Sequence, residues 1–214
     1  DPDGTAHLLR KQVTPFVLRR IKSEVAKELP PKIENEIGCV LNEQQKKEYR
    51  TLVEGAVEKQ GNDLKDAMKH APTHVFSLLT RLRQVCCDIS LLPWKEGTPS
   101  CGTKVEILIE KLIDLHSSGS KVIVFSQFTS FLRALKREIS KNIPELRILE
   151  LTGSTRDRTI PVETFENSKG SAVILASLKA AGLGVTLKSA DYVFLMDPWW
   201  NPAVEEQAID RAHR

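Results

Sequence analysis

Lys121-Val-Ile-Val-Phe125 is a short continuous apolar run, the pattern of a strand buried on both faces. Reading outward from it, the period changes on either side. Before it, Lys104 to His116 places Val105, Leu108, Ile109, Leu112 and Ile113 on one helical face, and Ser117-Ser-Gly-Ser120 makes a turn. After it, Phe128 to Ser140 is an amphipathic helix, Arg147 to Leu151 a strand and Thr159 to Asn167 a helix. Ala172-Val-Ile-Leu-Ala176 is a second buried strand, Gly182-Leu-Gly184 a loop, Tyr192 to Met196 a further buried strand and Ala203 to His213 a last helix. Strands alternating with helices at this spacing predict βαβ units: an α/β fold with a parallel sheet flanked by helices on both faces.

The N-terminal half reads differently. Leu18 to Leu29 predicts a short helix stopped by Pro30-Pro31, and Ile33 to Leu41 alternates imperfectly, as a strand would. Asn42 caps a charged helix that Gly61-Asn62 breaks. Asp63 to His70 and Thr73 to Ile89 are further helical stretches, the second with Val75, Leu78, Leu79, Leu82, Val85 and Cys86 at helical spacing. Leu92 to Gly102, rich in Pro, Gly and Ser, reads as a loop or hinge. The expected division is 1–32 as a linking segment, 33–92 as a strand with a helical appendage, and 93–214 as the α/β lobe.

With 214 residues, 41% of them apolar and 28% charged, this is one large domain or a domain with an appendage. The net charge of +3 permits a nucleic-acid partner without demanding one. Four cysteines, Cys39, Cys86, Cys87 and Cys101, show no Cys-x-x-Cys spacing. Neighbours on a helix point about 100° apart, so Cys86 and Cys87 make a poor metal pair, and buried free thiols in a reducing compartment are expected. No apolar run reaches membrane-spanning length and no signal peptide is visible, so a cytoplasmic setting is expected, with no membrane partner. The abrupt start and the stop at Arg214 read as a piece of something longer.

In parallel sheets, functional residues gather in loops at the carboxyl ends of the strands. Four such loops carry chemistry here: Ser126-Gln127, Thr152-Gly-Ser-Thr155, Ser177-Leu-Lys179 and Asp197-Pro-Trp-Trp-Asn201. Their hydroxyls, amides and backbone N–H groups suit phosphates, although turn chemistry accounts for them nearly as well. Gly182 and Gly184 would let backbone approach a ligand, or simply make a turn. Trp199 and Trp200 stack a nucleobase or fill the core. Asn201-Pro202 starts the last helix as cap and first position. On that helix Arg211 and Arg214 share a face, as two fork-shaped cations for a polyphosphate or as partners of Glu205, Glu206 and Asp210. The sequence has no Gly-x-x-x-x-Gly-Lys-Ser/Thr phosphate loop, no acid run suited to magnesium and no His-Glu-x-x-His cluster.

Taken in order, a strand with Ser-Gln after it, Thr-Gly-Ser-Thr, Ser-Leu-Lys-Ala-Ala-Gly-Leu-Gly, Asp-Pro-Trp-Trp-Asn-Pro and Gln-Ala-x-x-Arg-x-x-Arg resemble the second RecA-like lobe of the Swi/Snf-type helicase-like ATPases of helicase superfamily two. Pro15-Phe-Val-Leu-Arg-Arg-Ile-Lys22 with Leu29-Pro-Pro-Lys32 resembles that family's interlobe linker, and Leu79-Thr-Arg-Leu-Arg-Gln-Val-Cys-Cys87 its helical insertion. The wording is nearest to bacterial members. The resemblance implies a RecA-like C-terminal lobe of an ATP-dependent double-stranded DNA translocase. Arg211 and Arg214 then match the arginines that reach ATP phosphates across the cleft, Gln207 faces the same cleft, and Gly182 and Gly184 match the loop coupling nucleotide to DNA. Ser126, Gln127, Gly153, Ser154 and Lys179 match positions near the DNA backbone, and Trp200 the tryptophan beside the DNA. Ala181 stands where many members have another glycine. ATP and Mg are expected in the intact protein, held mainly by an N-terminal RecA-like lobe of the same chain, with double-stranded DNA, and a DNA-bound protein as a further substrate, as partners. This stretch alone is expected to bind no cofactor and to be inactive. The setting is then the bacterial nucleoid, or the nucleus in a eukaryote. A non-enzymatic RecA-like module that binds DNA or protein is the alternative.

Overall fold

The computed structural model describes residues 5, 9, 11–16, 32–60, 68–100, 102–181 and 186–212. The chain forms two compact units, Asp1–Asn35 and Glu36–Arg214. In the first, the described part includes a 3-10 turn, Thr14–Phe16, and an ion pair between Lys32 and Glu34. The helix expected over Leu18 to Leu29 lies outside the described residues.

In the second unit four parallel strands, β1 (Lys121–Ser126), β2 (Arg147–Leu151), β3 (Ala172–Ser177) and β4 (Tyr192–Leu195), lie in the order β2-β3-β1-β4. The two apolar runs occupy the centre, and the pleat splits their side chains between two cores. Val122, Val124, Val173 and Leu175 face one cluster with α3 (Thr103–Ser117) and α4 (Thr129–Asn142). Ile123, Phe125, Ile174 and Ala176 face the other with α5 (Thr159–Asn167), the short turn α6 (Leu178–Ala181) and α7 (Pro202–Ala212). The expected α/β fold, a parallel sheet flanked by helices with a helical appendage before it, is the fold observed.

The appendage is α1 (Glu43–Gln60) and α2 (Pro72–Cys87), followed by 3-10 turns Ile89–Leu91 and Pro93–Lys95. Asn42 does cap α1: its Oδ1 accepts the Gln45 N–H at 2.9 Å while Gln45 Oε1 accepts the Asn42 N–H at 3.2 Å, a reciprocal capping box. Pro72 opens α2 at its first turn, where its missing N–H costs nothing. The Leu92–Gly102 stretch is anchored rather than free. Asp88 accepts from Ser90 N–H at 2.7 Å, Ser100 Oγ at 2.5 Å and Gly102 N–H at 3.0 Å. Gly102 sits so close to the Cys87 carbonyl that a Cβ would stand 2.2 Å from its oxygen.

Several expectations need correcting. Ile33 to Leu41 forms no strand: the chain is irregular there, and Ile33, Ile37 and Val40 are exposed. Alternation supplied the pattern, but among the described residues no strand lies alongside to take its hydrogen bonds. Tyr192 to Met196 is not a buried strand throughout; β4 is an edge, and Tyr192 is 48% exposed. Ile113 points outward from α3 while Val105, Leu108, Ile109 and Leu112 are buried. Of the thiols, Cys87 is buried, Cys39 and Cys86 are half-buried, and Cys101 lies outside the described residues, as do Gly61, Asn62 and 63–67. No described helix is long and apolar enough to cross a membrane.

Candidate functional site: the carboxyl rim of the sheet

Because all four strands run the same way, the segments that follow them end on one edge. After β2, the loop 152–155 closes on itself: Thr152 N–H donates to Thr155 Oγ1 at 2.9 Å, Thr155 N–H to the Thr152 carbonyl at 3.1 Å, and the Thr152 and Ser154 hydroxyls meet at 2.8 Å. Gly153 and Ser154 are exposed. Nothing lies within 4 Å of where a Cβ would stand on Gly153, and its φ is not positive. Neither packing nor backbone conformation asks for glycine there, which leaves clearance for an incoming group. After β3, Lys179 is exposed near the start of α6, between Leu178 and Ala180, which are buried.

The side chain of Ser126 is turned inward. It is fully buried; its Oγ accepts the Phe128 N–H at 3.0 Å, and its hydroxyl helps to hold the Asp197 carboxyl down. Gln127 is half-exposed, its backbone N–H donates to Asp197 Oδ2 at 3.2 Å, and its amide Nε2 is buried without a protein partner. Both residues hold the rim together in this arrangement.

Asp197 is the hub. Burial pushes its carboxyl above the ordinary aspartate range, against the pull of Ser126, the Gln127 N–H, Arg83 and Lys104. Lys104 from α3 donates to the neighbouring Met196 carbonyl at 2.5 Å. Arg83 from α2 stands 4.0 Å from the carboxylate and donates to the Pro198 carbonyl. Its guanidinium lies 5.0 Å from the Trp200 ring centroid, 5.9 Å from that of Trp199 and 6.0 Å from that of Phe128. The two tryptophans divide: Trp199 is partly buried against the second core, and Trp200 is 64% exposed. Arg83 was not among the residues read from the sequence as functional; its signal there is only a cation inside an apolar helical stripe.

The last helix begins as its sequence implies. Asn201 Oδ1 accepts the Ala203 N–H at 3.1 Å, Pro202 takes the first position, and Glu205 reaches back to the Trp199 N–H. Ala208 and Ala212 pack against the sheet. Gln207 is exposed, and Arg211 follows it by four residues on the same helix, the spacing that shares a face. The Arg211 side chain, and Arg214, Gly182 and Gly184 entirely, lie outside the described residues. Among the described residues no group of three or more His, Cys, Asp or Glu gathers as a metal site would require.

The model of the helicase conserved C-terminal domain family matches residues 103–214, and that of the SNF2-related domain matches residues 2–91. An uncharacterized ATP-dependent helicase of Mycoplasma pneumoniae is 35% identical over 212 residues, 99% of this chain and 20% of the relative. The putative ATP-dependent helicase/translocase YwqA of Bacillus subtilis is 34% identical over 212 residues, 96% of this chain and 23% of the relative. The chain thus spans about a fifth of the length of these curated relatives. Among solved structures, the SWI2/SNF2 ATPase core of Sulfolobus solfataricus in complex with dsDNA superposes with a TM-score of 0.71 at 27% identity, covering 97% of this chain and 44% of that one. The C-terminal domain of that ATPase gives 0.65 at 27% identity, covering 82% of this chain and 76% of that one.

Proposed function

Since the chain belongs to the SNF2-related family of helicase-like ATPases and carries its helicase C-terminal domain, we propose that it is the C-terminal lobe of an ATP-dependent double-stranded DNA translocase. The observation that carries the reading is the rim itself. Gly153, Ser154, Lys179 and Trp200, from three different strand ends, are all exposed on one edge of a rigid sheet. A loop with clearance, a cation and a free indole face form a track for a phosphate backbone. Buried Ser126 supports that track from beneath, and half-exposed Gln127 stands at its edge.

The substrate nucleotide fits the exposed face of α7. Gln207 is free to face a cleft, and Arg211 and Arg214, at four- and seven-residue spacing from it, would supply fork-shaped donors to the phosphates of ATP. Gly182 and Gly184, after α6, would couple that face to the DNA track. Magnesium fits no cluster among the described residues, so its ligands are assigned to the N-terminal RecA-like lobe, which would also cradle the nucleotide. Closure of the two lobes would assemble the site, and repeated closure would move them along the backbone.

The experiment is a comparison of two preparations. The purified 214-residue chain is expected to turn over no ATP. The full-length protein is expected to show DNA-stimulated turnover that Arg211→Ala lowers by about a thousandfold, the usual scale for a lost arginine finger. Turnover by the isolated chain that Arg211→Ala abolishes would overturn the split site. Full-length activity that survives Arg214→Ala would favour a lobe kept for binding alone.

A further inference from the structure

Arg83 joins α2 to the Asp197–Trp200 loop across 115 positions of sequence. It meets that loop in three ways: a hydrogen bond to the Pro198 carbonyl, an approach of 4.0 Å to Asp197 Oδ2, and stacking over Trp200 at 5.0 Å. The ring of Phe128, from the loop after β1, lies 6.0 Å from the same guanidinium. The Arg83 side chain is 19% exposed and that of Asp197 only 2%. A cation so withdrawn from water gains more from a ring face than a solvated one does. Lys104, the other cation near Asp197, holds the Met196 carbonyl and leaves the indoles to Arg83.

We propose that Arg83 is a positioning residue for DNA engagement: it clasps the Asp197–Trp200 loop to the helical appendage and sets the orientation of the exposed Trp200 ring. The alternative use of such an arginine, as a direct phosphate contact, is disfavoured because the side chain is largely withdrawn from solvent, with Nη2 on the Pro198 carbonyl and the guanidinium carbon 5.0 Å from the Trp200 ring centroid. Without the clasp, Trp200 hangs from a proline-flanked loop with one face unsupported, and its rotamers multiply. DNA would then have to order the ring on binding, and apparent affinity falls by the fraction of time the ring is misplaced. The helix carrying Arg83 also packs against α1 and α3. The appendage is thereby joined to the rim through the Arg83 cation as well as through helix packing.

This rests on the reading that the rim contacts DNA, and the test separates the two. In the full-length protein, ATP turnover is titrated with a double-stranded DNA oligomer for Arg83→Met, Arg83→Lys, Trp200→Ala and the Arg83→Met/Trp200→Ala pair. Arg83→Met is expected to raise the half-saturating DNA concentration about tenfold, the equivalent of one strong cation–π contact, with turnover at saturation kept within about twofold. Arg83→Lys keeps the charge but not the flat fork, so about threefold is expected. The double variant should shift no further than Trp200→Ala alone. Additive shifts, or no shift for Arg83→Met, overturn the clasp. If Arg83→Met does not fold, non-additivity of Arg83→Lys with Trp200→Ala decides in the same way. If Trp200→Ala shifts the titration and the Arg83 variants do not, the clasp alone fails. If Trp200→Ala changes nothing, the DNA-facing rim fails with it.

Discussion

The sheet and the appendage are held by different physics. Around β1 and β3 two dry clusters fill both faces, and every residue of β3 is buried. The appendage has a small cluster, Val85, Ile89 and Leu92 with Tyr49 and Leu52 against it. Cys87 and Leu91 reach the first sheet cluster, and the rest of the appendage is set in place largely by polar clips. Gln45, fully buried, donates to the Val85 carbonyl at 2.7 Å and accepts from Thr103 N–H and Oγ1 at 3.4 Å, joining α1, α2 and α3. Asp88 ties α2 to the start of α3, and Glu48 holds Lys95 at 2.8 Å. Apolar burial is proportional to area and tolerant of small shifts; hydrogen bonds in buried positions are short-ranged and fail all at once. A rigid sheet should therefore carry an appendage that is well placed but less strongly bound.

Three substitutions probe that contrast. Phe125→Ala empties a fully buried site in the second cluster and is expected to cost about 3–5 kcal/mol of stability in chemical denaturation. A cost below about 1 kcal/mol would show the sheet core to be no stronger than the appendage. Asp88→Ala removes the acceptor for Ser90, Ser100 and Gly102 and leaves a buried N–H unpaired, for about 2–3 kcal/mol. Amide exchange should then accelerate in α1 and α2 while β1 and β3 stay protected; uniform acceleration breaks the contrast. The smallest effect belongs to Glu48. The Lys95 hydrogen bond, with Trp94 assisting, holds its carboxyl below the ordinary glutamate range. The folded form thus binds the proton less tightly than the unfolded one. The added stability is fully present above the ordinary range and is lost as pH falls through the lowered value. Glu48→Gln should remove at most about 1 kcal/mol at neutral pH and nothing once the carboxyl is protonated, as read from melts across acid pH.

The α/β half was legible because its signals are local. Continuous apolar runs gave β1 and β3, Asn201-Pro202 gave the start of α7, and the boundaries of β2 and α5 fall where the sequence places them. What was not legible depends on neighbours. Apolar content does not distinguish an edge from a centre, so Tyr192 read as buried. Alternation at Ile33–Leu41 says nothing about whether a strand lies alongside. Adjacent Trp199 and Trp200 had to differ in direction, but only the packing of the second core says which turns inward. Ser126 read as a DNA-side hydroxyl; its burial under Asp197 comes from β4 lying next to β1. Arg83 depends on a partner more than a hundred positions away, and no window of sequence contains both.

Gly153 has a practical consequence. With open space around its Cα and an ordinary φ, position 153 can take a side chain at little cost to the fold. A cysteine placed there, once Cys39, Cys86 and Cys101 are replaced, would carry an optical label on the rim itself. The buried thiol of Cys87, its ionisation further suppressed by burial, would stay unlabelled. The same loop that leaves room for a ligand thus offers a site from which arrival and departure can be watched in real time.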